Sequence, residues 1–500
     1  MRVTKAVTVT AVVSTTLATV VALSVGPAQA TPGAQPGNSG FGRSHAVCGA
    51  VPVGYARCLS HVEDNGGKPS PQAVSPTGLS PDQVKGAYGF PTGSTAGAGQ
   101  TVAIVDAYDA PNIETDLGVF SKQYGLPACA SDCFTKVNQT GGSRYPRADS
   151  GWALEISLDV EWVHAIAPGA KILLVEASSN SFTNLMAAED YAKAHAQYVS
   201  NSWGGSEFSG EATYDSHFAA SGVSFFVSSG DNGAPAEYPS ASPNVISVGG
   251  TTLNLDSSGA VTSETGWSGS GGGCSAYENA VSAQSSFGTY NQVGCNGARA
   301  TPDVSLVADP ATGVSVYDST SYQGSTGWYT VGGTSASSPM WAAESATTGV
   351  PVNATYVYGS AISFRDITSG NNGNPALVGL DLVTGRGSWS NGSTSGGGTS
   401  GGGTTGPVTI NSASCSGTTC SFSATGTDPL QWNFGSDSAG HWPTTTSTTS
   451  TSGQTVSTSY SAAGKYPVTV TDANSATAAT TVTCTYSTHG KKTRLGCQTP

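Results

Sequence analysis

The amino-acid sequence predicts an α/β protein: a mostly parallel sheet covered by helices on both faces, followed by a flexible linker and a small all-β module. Three observations carry this. Between residues 79 and 388, short β-branched runs alternate with helical stretches, the pattern of parallel strands joined by crossover helices. Residues 391–406 are almost wholly Gly, Ser and Thr, a composition that behaves as flexible coil. Residues 407–500 hold short alternating segments instead, as in small β-sandwiches.

The chain opens with a basic start, Met1-Arg2 and Lys5, and an apolar run over residues 6–25. The run ends in Gly26-Pro27-Ala28-Gln29-Ala30, whose small residues read as a signal-peptidase site. Residues 1–30 are therefore expected to be an export signal. The alternative, a membrane anchor, lacks a basic stop-transfer cluster. The mature protein is expected to be secreted and extracellular, without membrane insertion. A Pro/Gly-rich pro-segment or N-terminal extension, residues 31–77, follows.

The formal net charge of −13 excludes nucleic acid and anionic membrane as natural partners and suits a protein working in acid. The ten cysteines fall in sequence-local pairs: Cys48/Cys58, Cys129/Cys133, Cys274/Cys295, Cys415/Cys420 and Cys484/Cys497. In an exported chain these read as disulfides. Zinc is the alternative for Cys129-x-x-x-Cys133, but no matching Cys or His pair lies near it in sequence.

Within the α/β region, residues 78–390, strands are predicted at 101–106, 171–175, 197–200, 223–228 and 244–248. Helices are predicted at 182–196 and 212–221, and from Trp152 to about Ala167, where Pro168-Gly169 stops the chain. Active sites of such folds gather at the carboxyl ends of the strands. In the last module, Trp432-Asn-Phe-Gly435, residues 456–460 and residues 466–471 read as strands. Tyr460-Ser-Ala-Ala-Gly-Lys-Tyr466 resembles the corresponding stretch of PKD-type domains, which implies a spacer or a binder of substrate or surface.

The strongest local signal is Gly332-Gly333-Thr334-Ser335-Ala336-Ser337-Ser338-Pro339. A glycine pair allows close backbone approach, and a helical run begins directly after it. Pro339 is expected in the first helical turn, where its missing N–H costs nothing. Ser335 would then sit at a helix N-terminus, which favours a developing negative charge, and would be a nucleophile; a plain N-cap serine is the alternative.

A serine nucleophile needs a base. None of His45, His61, His164, His195, His217, His441 and His489 stands in the His-Gly-Thr-His-like context that supplies it in subtilisin-like peptidases. Asp106 ends a strand where those enzymes carry their aspartate, but it has no histidine to orient. Carboxylates offer a substitute. Glu155 and Asp159 are four apart on the Trp152 helix, so both face one side. Like charges there repel unless a proton is shared, which raises one pKa and lets Glu155 accept the serine proton while Asp159 orients it. Two solvated acids are the alternative. Asp231, in Ser228-Ser229-Gly230-Asp231, is either a turn residue or, if protonated, a hydrogen-bond donor to an oxyanion.

Glu155-x-x-Leu-Asp159, Ser-Ser-Gly-Asp231 and Gly-Thr-Ser335-Ala-Ser-Ser-Pro, in that order, resemble the sedolisin (serine-carboxyl peptidase) family over residues 79–388. The resemblance implies a subtilisin-like fold, acid-active cleavage of protein or peptide substrates, and catalytic roles for Glu155, Asp159, Asp231 and Ser335. It places substrate binding on Ser202, Trp203, Gly204 and Gly205. It also implies one structural calcium ion (Ca2+) near the end of the domain, held by Asp366, Ile367, Gly379 and Asp381; hard oxygen donors of this kind suit it. A monomer is expected. The family's propeptide is much longer than residues 31–77, and the stretch from Ser335 to Asp366 is shorter than usual. A binding or adhesion protein that keeps the fold, and a conventional Ser/His/Asp peptidase, are the competing expectations.

Overall fold

The computed structural model describes residues 43–64, 75–129, 132–359 and 364–390. Of the C-terminal segment it describes 409–425, 430–434, 443–444, 447–450, 454–471, 477–489 and 492–499. The expected signal sequence and the 391–406 linker lie outside the described residues. The chain divides into two compact units, Met1–Ser395 and Gly396–Pro500.

The first unit is built on a mostly parallel, ten-stranded sheet, in which Phe364–Arg365 and Val261–Gly266 pair antiparallel with Ser388–Trp389 and Ile246–Leu255. The other eight strands run, across the sheet, in the order Phe134–Asn138, Lys171–Ala177, Thr101–Ala107, Tyr198–Asn201, Ser224–Ser228, Ile246–Leu255, Val304–Val307 and Ser388–Trp389. Every neighbouring pair in that series is parallel. The central strands are buried along nearly their whole length, which is why their sequences read as continuous apolar runs and not as alternation. The helices Ser150–Ile166 and Thr334–Thr348 pack on each other and on the sheet, and Phe182–His195 packs on Thr101–Ala107 and Lys171–Ala177. Strand order reverses between Thr101–Ala107 and Tyr198–Asn201. The crevice at their carboxyl ends is therefore a topological switch point, the usual place for a site in such a sheet.

Two expectations on secondary structure need correction. The predicted helix at 212–221 is a 3-10 segment, Glu211–Phe218. Thr213 Oγ bonds back to the Gly210 carbonyl at 2.8 Å, a local bond that competes with a regular helix. The strand predicted at 244–248 runs instead over Ile246–Leu255.

The N-terminal extension is folded onto the domain. Arg43–Ala46 and His61–Asp64 form an antiparallel pair that adds to the hairpin Val314–Tyr322/Ser325–Gly332. Arg57–Cys58 adds to Trp203–Ser206.

The second unit comprises a three-stranded and a five-stranded antiparallel sheet. Its core includes Phe422, Trp432, Phe434, Tyr466, Val468 and Val482, and Trp432 Nε1–H donates to Ser450 Oγ at 3.0 Å. All five cysteine pairs are disulfides as the spacing suggested. Cys129, Cys133 and His164 place their ligand atoms within 4.8 Å of one another, but the two sulfurs are joined to each other and hold no metal.

Candidate active site

Four elements converge at the switch point. The helix Ser150–Ile166 starts under Asp149, whose side chain accepts from the Gly151 and Trp152 amides. From Gly151 to Ile166 every residue is buried, so this is a core helix that carries Glu155 and Asp159 into the interior. Both acids are fully buried. The expectation that they share one face is met, and the solvated alternative is not.

Asp159 Oδ1 accepts from Ser202 Oγ at 2.9 Å, and its Oδ2 has no partner. Burial raises its carboxyl pKa well above the ordinary value, and the neighbouring Asp106 and Glu155 add to the rise. Glu155 is raised by burial too; the Ser335 and Ser60 hydroxyls lie close enough to favour its anion, though neither meets a Glu155 oxygen with good hydrogen-bond geometry. Asp106, at the end of Thr101–Ala107, is fully buried with both carboxyl oxygens unpartnered, and burial and Glu155 raise its pKa. Sequence reasoning discounted Asp106 for want of a histidine. In the fold it joins the carboxyl cluster instead.

Ser335 lies in the first turn of the helix Thr334–Thr348, after Gly333 at φ 94°. Pro339 was expected in the first turn, but the helix begins five residues before it, so Pro339 stands inside. The helical bond it cannot make would have ended on the Ser335 carbonyl. Ser202 Oγ lies 3.4 Å from that oxygen. Ser335 Oγ donates to the Ser202 carbonyl at 3.2 Å.

Asp231 follows the strand Ser224–Ser228 through Gly230 at φ 122°. Its Oδ1 accepts from the Thr334 amide at 2.8 Å and the Thr334 hydroxyl at 2.9 Å. Its Oδ2 has no hydrogen bond. Burial pushes its pKa up to about 7, against the opposing pull of the Thr334 bonds and Arg57. A Cβ placed on Gly333 would collide with the Leu59 carbonyl oxygen, Asp231 Oδ2 and Ser60 Cα; glycine keeps that space open for an oxygen.

Ser202, Trp203, Gly204 and Gly205 border the same crevice. Trp203 is fully buried and donates from Nε1 to the Val105 carbonyl at 2.8 Å. A histidine does reach the site: His61 Nε2 is 3.8 Å from Asp231 Oδ2 and its ring meets Trp267 edge-on. Burial and Arg57 press its pKa down to about 4. Among the described residues no hydrogen bond joins it to Ser335, whose hydroxyl bonds the Ser202 carbonyl. Sequence reasoning discounted His61 with the other histidines for want of a His-Gly-Thr-His-like context, and its neighbours 56–60 offered no local signal besides Cys58.

The four residues expected to hold calcium lie elsewhere on the domain. Asp366 accepts from the Gly379 amide, at 3.0 Å to Oδ2. Asp381 accepts from the Val383 and Thr384 amides through Oδ1 and from the Leu377 amide through Oδ2, at 2.8, 2.7 and 3.0 Å. Burial raises both carboxyls, to about 7 and about 6, and Asp381 adds to the rise at Asp366. Ile367 is buried.

The family model described as "Subtilase family" matches residues 144–348. Kumamolisin of Bacillus sp. (strain MN-32) is 34% identical over 364 residues, covering 63% of each chain. Sedolisin of Pseudomonas sp. (strain 101) is 30% identical over 400 residues, covering 69% of this chain and 65% of that one. The chain thus spans somewhat under two thirds of the length of these curated relatives. A solved structure titled Pseudomonas sedolisin (serine-carboxyl proteinase) complexed with two molecules of pseudo-iodotyrostatin is 30% identical with a TM-score of 0.54. The match covers 63% of this chain and 96% of that one.

Proposed function

Because the chain belongs to the sedolisin family, with its subtilisin-like fold, we propose that it is an acid-active serine-carboxyl endopeptidase that cuts peptide bonds through an acyl-enzyme on Ser335. The observation that carries this is the meeting of three groups around one crevice: the Ser335 amide, the unpartnered oxygen of Asp231 and the buried carboxyl of Glu155. Ser335 Oγ attacks the substrate carbonyl carbon and passes its proton to Glu155. Asp159, fixed by the Ser202 hydroxyl, orients Glu155 and takes part in holding the shared proton. The oxyanion lies between the Ser335 N–H and the protonated Asp231. Glu155 then returns the proton to the departing nitrogen, and water repeats the sequence on the acyl-enzyme.

Acid activity follows from this division of labour. Asp231 donates only while protonated, so the rate falls as pH rises through its pKa near 7. At the acid end the limit is ionisation of Glu155. Its pKa is raised mainly because the crevice is covered; water admitted by an open crevice lowers it again. Hydrolysis of an unfolded protein from about pH 3 to pH 8 tests the proposal. The wild type should be most active in acid and Ser335→Ala inactive throughout. Activity centred near neutral pH would instead point to a histidine base. No activity at any pH would favour a binding protein on the same fold.

Ser202, Trp203, Gly204 and Gly205 are proposed to bind substrate by strand addition. Asp366 and Asp381, with the carbonyls of Ile367 and Gly379, would hold one calcium ion. The fit is sound: both carboxyls are raised by burial, Asp381 raises Asp366 further, and a divalent cation would relieve that crowding. The ion would hold the end of the domain together and takes no part in the chemistry. Calcium at a hundred times its dissociation constant should stabilise the fold by about 2.7 kcal/mol. Thermal melts with calcium and with chelator check this, and Asp381→Asn should abolish the difference. The disulfides and the export signal expected over residues 1–30 support secretion. Among the described residues no helix is long and apolar enough to cross a membrane. The C-terminal unit is proposed to bind substrate or a surface.

A further inference from the structure

We infer that the chain carries its own first substrate: the segment Arg57–Ser60 lies in the crevice as a bound peptide, and Leu59–Ser60 is the bond it cuts in itself. This rests on the peptidase function proposed above, and deepens it by naming the first bond and the segment that must leave.

The backbone contacts set the register. Arg57 and Cys58 pair antiparallel with Gly204 and Trp203, and the Leu59 N–H donates to the Ser202 carbonyl at 3.1 Å. The Leu59 carbonyl accepts from the Ser335 amide at 2.9 Å, and it shares the space above Gly333 with the unpartnered Oδ2 of Asp231. An ordinary packed strand completes a ladder; it has no cause to set one carbonyl on the amide of a candidate nucleophile and beside an unpartnered carboxyl oxygen. The Leu59 side chain is buried against Gly204, where its Cδ1 stands 3.3 Å from the point a Cβ would occupy. Arg57 pairs with Glu237 at 2.7 Å.

The far side of the bond is held as well. The Ser60 carbonyl accepts from the Val47 amide at 2.9 Å, and His61 and Val62 pair with Gly332 and Val331. The Ser60 hydroxyl faces Glu155. The Cys48–Cys58 disulfide closes the loop that sets Cys58 one residue before Leu59. Both cysteines precede the bond, so once it is cut the disulfide stiffens the departing piece without tethering it to the rest of the chain.

The step balances as an ordinary hydrolysis. Ser335 Oγ bonds to the Leu59 carbonyl carbon while Glu155 takes its proton. The Leu59–Ser60 C–N bond breaks, and that proton goes to the Ser60 nitrogen. Water then cleaves the acyl-enzyme. The products are a fragment ending in the Leu59 carboxylate and a chain beginning with the Ser60 amine, and the crevice is vacated.

The full chain, brought from neutral pH to about pH 4, is followed by intact mass and N-terminal sequencing alongside hydrolysis of an added unfolded protein. The expected result is a new N-terminus at Ser60, absent in Ser335→Ala, with external hydrolysis rising in step. Leu59→Lys, which puts a charge into an apolar pocket, should slow that cut by more than about tenfold. External hydrolysis with no end at Ser60, or with the chain opened elsewhere, overturns the inference and leaves the peptidase function standing. The double variant Cys48→Ser/Cys58→Ser separates the remaining cases. If it alone hydrolyses the added protein with Leu59–Ser60 intact, the segment is an uncut plug and the inference fails. If it and the wild type are both inert, the peptidase function has failed with it.

Discussion

Glu155→Gln should lower kcat/KM on an unfolded protein by about three to four orders of magnitude, while leaving the fold at least as stable as the wild type. The first half follows from the loss of the proton acceptor: removing the base of a serine nucleophile leaves only the catalysis supplied by binding and oxyanion contacts. The second half follows from burial. Glu155 is fully buried with no well-formed hydrogen bond to either oxygen, and burial raises its pKa to about 8, so near pH 4 the fold already holds it neutral and a neutral amide of the same shape changes little. The pairing of the two results matters, because a variant that merely misfolds would lose both. Steady-state kinetics at about pH 4 with a thermal melt on the same sample make the check. A loss under about tenfold would remove Glu155 from the proton-transfer step.

The second large effect is on stability. Glu161, Glu189, Glu344 and Asp318 are buried acids away from the crevice, and desolvation raises the pKa of each. Glu189 and Glu344 rise to about 8 and Asp318 to about 7. A raised folded pKa means that the native state holds its proton where the unfolded chain has lost it. Between the ordinary carboxyl value near 4 and the folded value near 7 to 8, stability therefore falls as pH rises. Each tenfold gain in proton affinity on folding corresponds to about 1.4 kcal/mol, and several groups act together, so the sum rivals the net stability of a domain. The melting temperature of Ser335→Ala, which cannot digest itself, should drop by roughly 10 °C or more between pH 4 and pH 8. Glu344→Gln should flatten that slope. A melting temperature that climbs with pH would contradict the argument.

Most of the sheet and the buried carboxyls beside Ser335 were legible in the sequence, for reasons that differ by residue. Glu155 and Asp159 could be placed because helical spacing alone puts residues four apart on one side, and the apolar residues around them announced burial. The disulfides were legible because their partners lie close in sequence. The helix carrying Ser335 was misplaced at its start because proline commonly opens a helix; the true opening depends on Gly333 at a positive φ, which no local pattern separates from an ordinary glycine turn. Asp106 was set aside because its significance comes from the depth at which it meets the Glu155 helix, a tertiary fact. Residues 57–60 were invisible for a stronger reason. Their pairing with Ser202–Gly204 is made by backbone groups, which every residue type offers alike, between segments far apart in the chain.

Pro339 links two parts of the molecule that would otherwise be independent. By withholding an amide inside its helix it frees the carbonyl of Ser335, and the Ser202 side chain reaches toward that oxygen while bonded to Asp159. A single hydroxyl at the end of the strand Tyr198–Asn201 thus reaches both the Ser335 carbonyl and Asp159. The helix forgoes one internal bond, worth about 1 kcal/mol. In exchange, the placement of Ser335 is anchored to the sheet, so a shift of either element would register at the other.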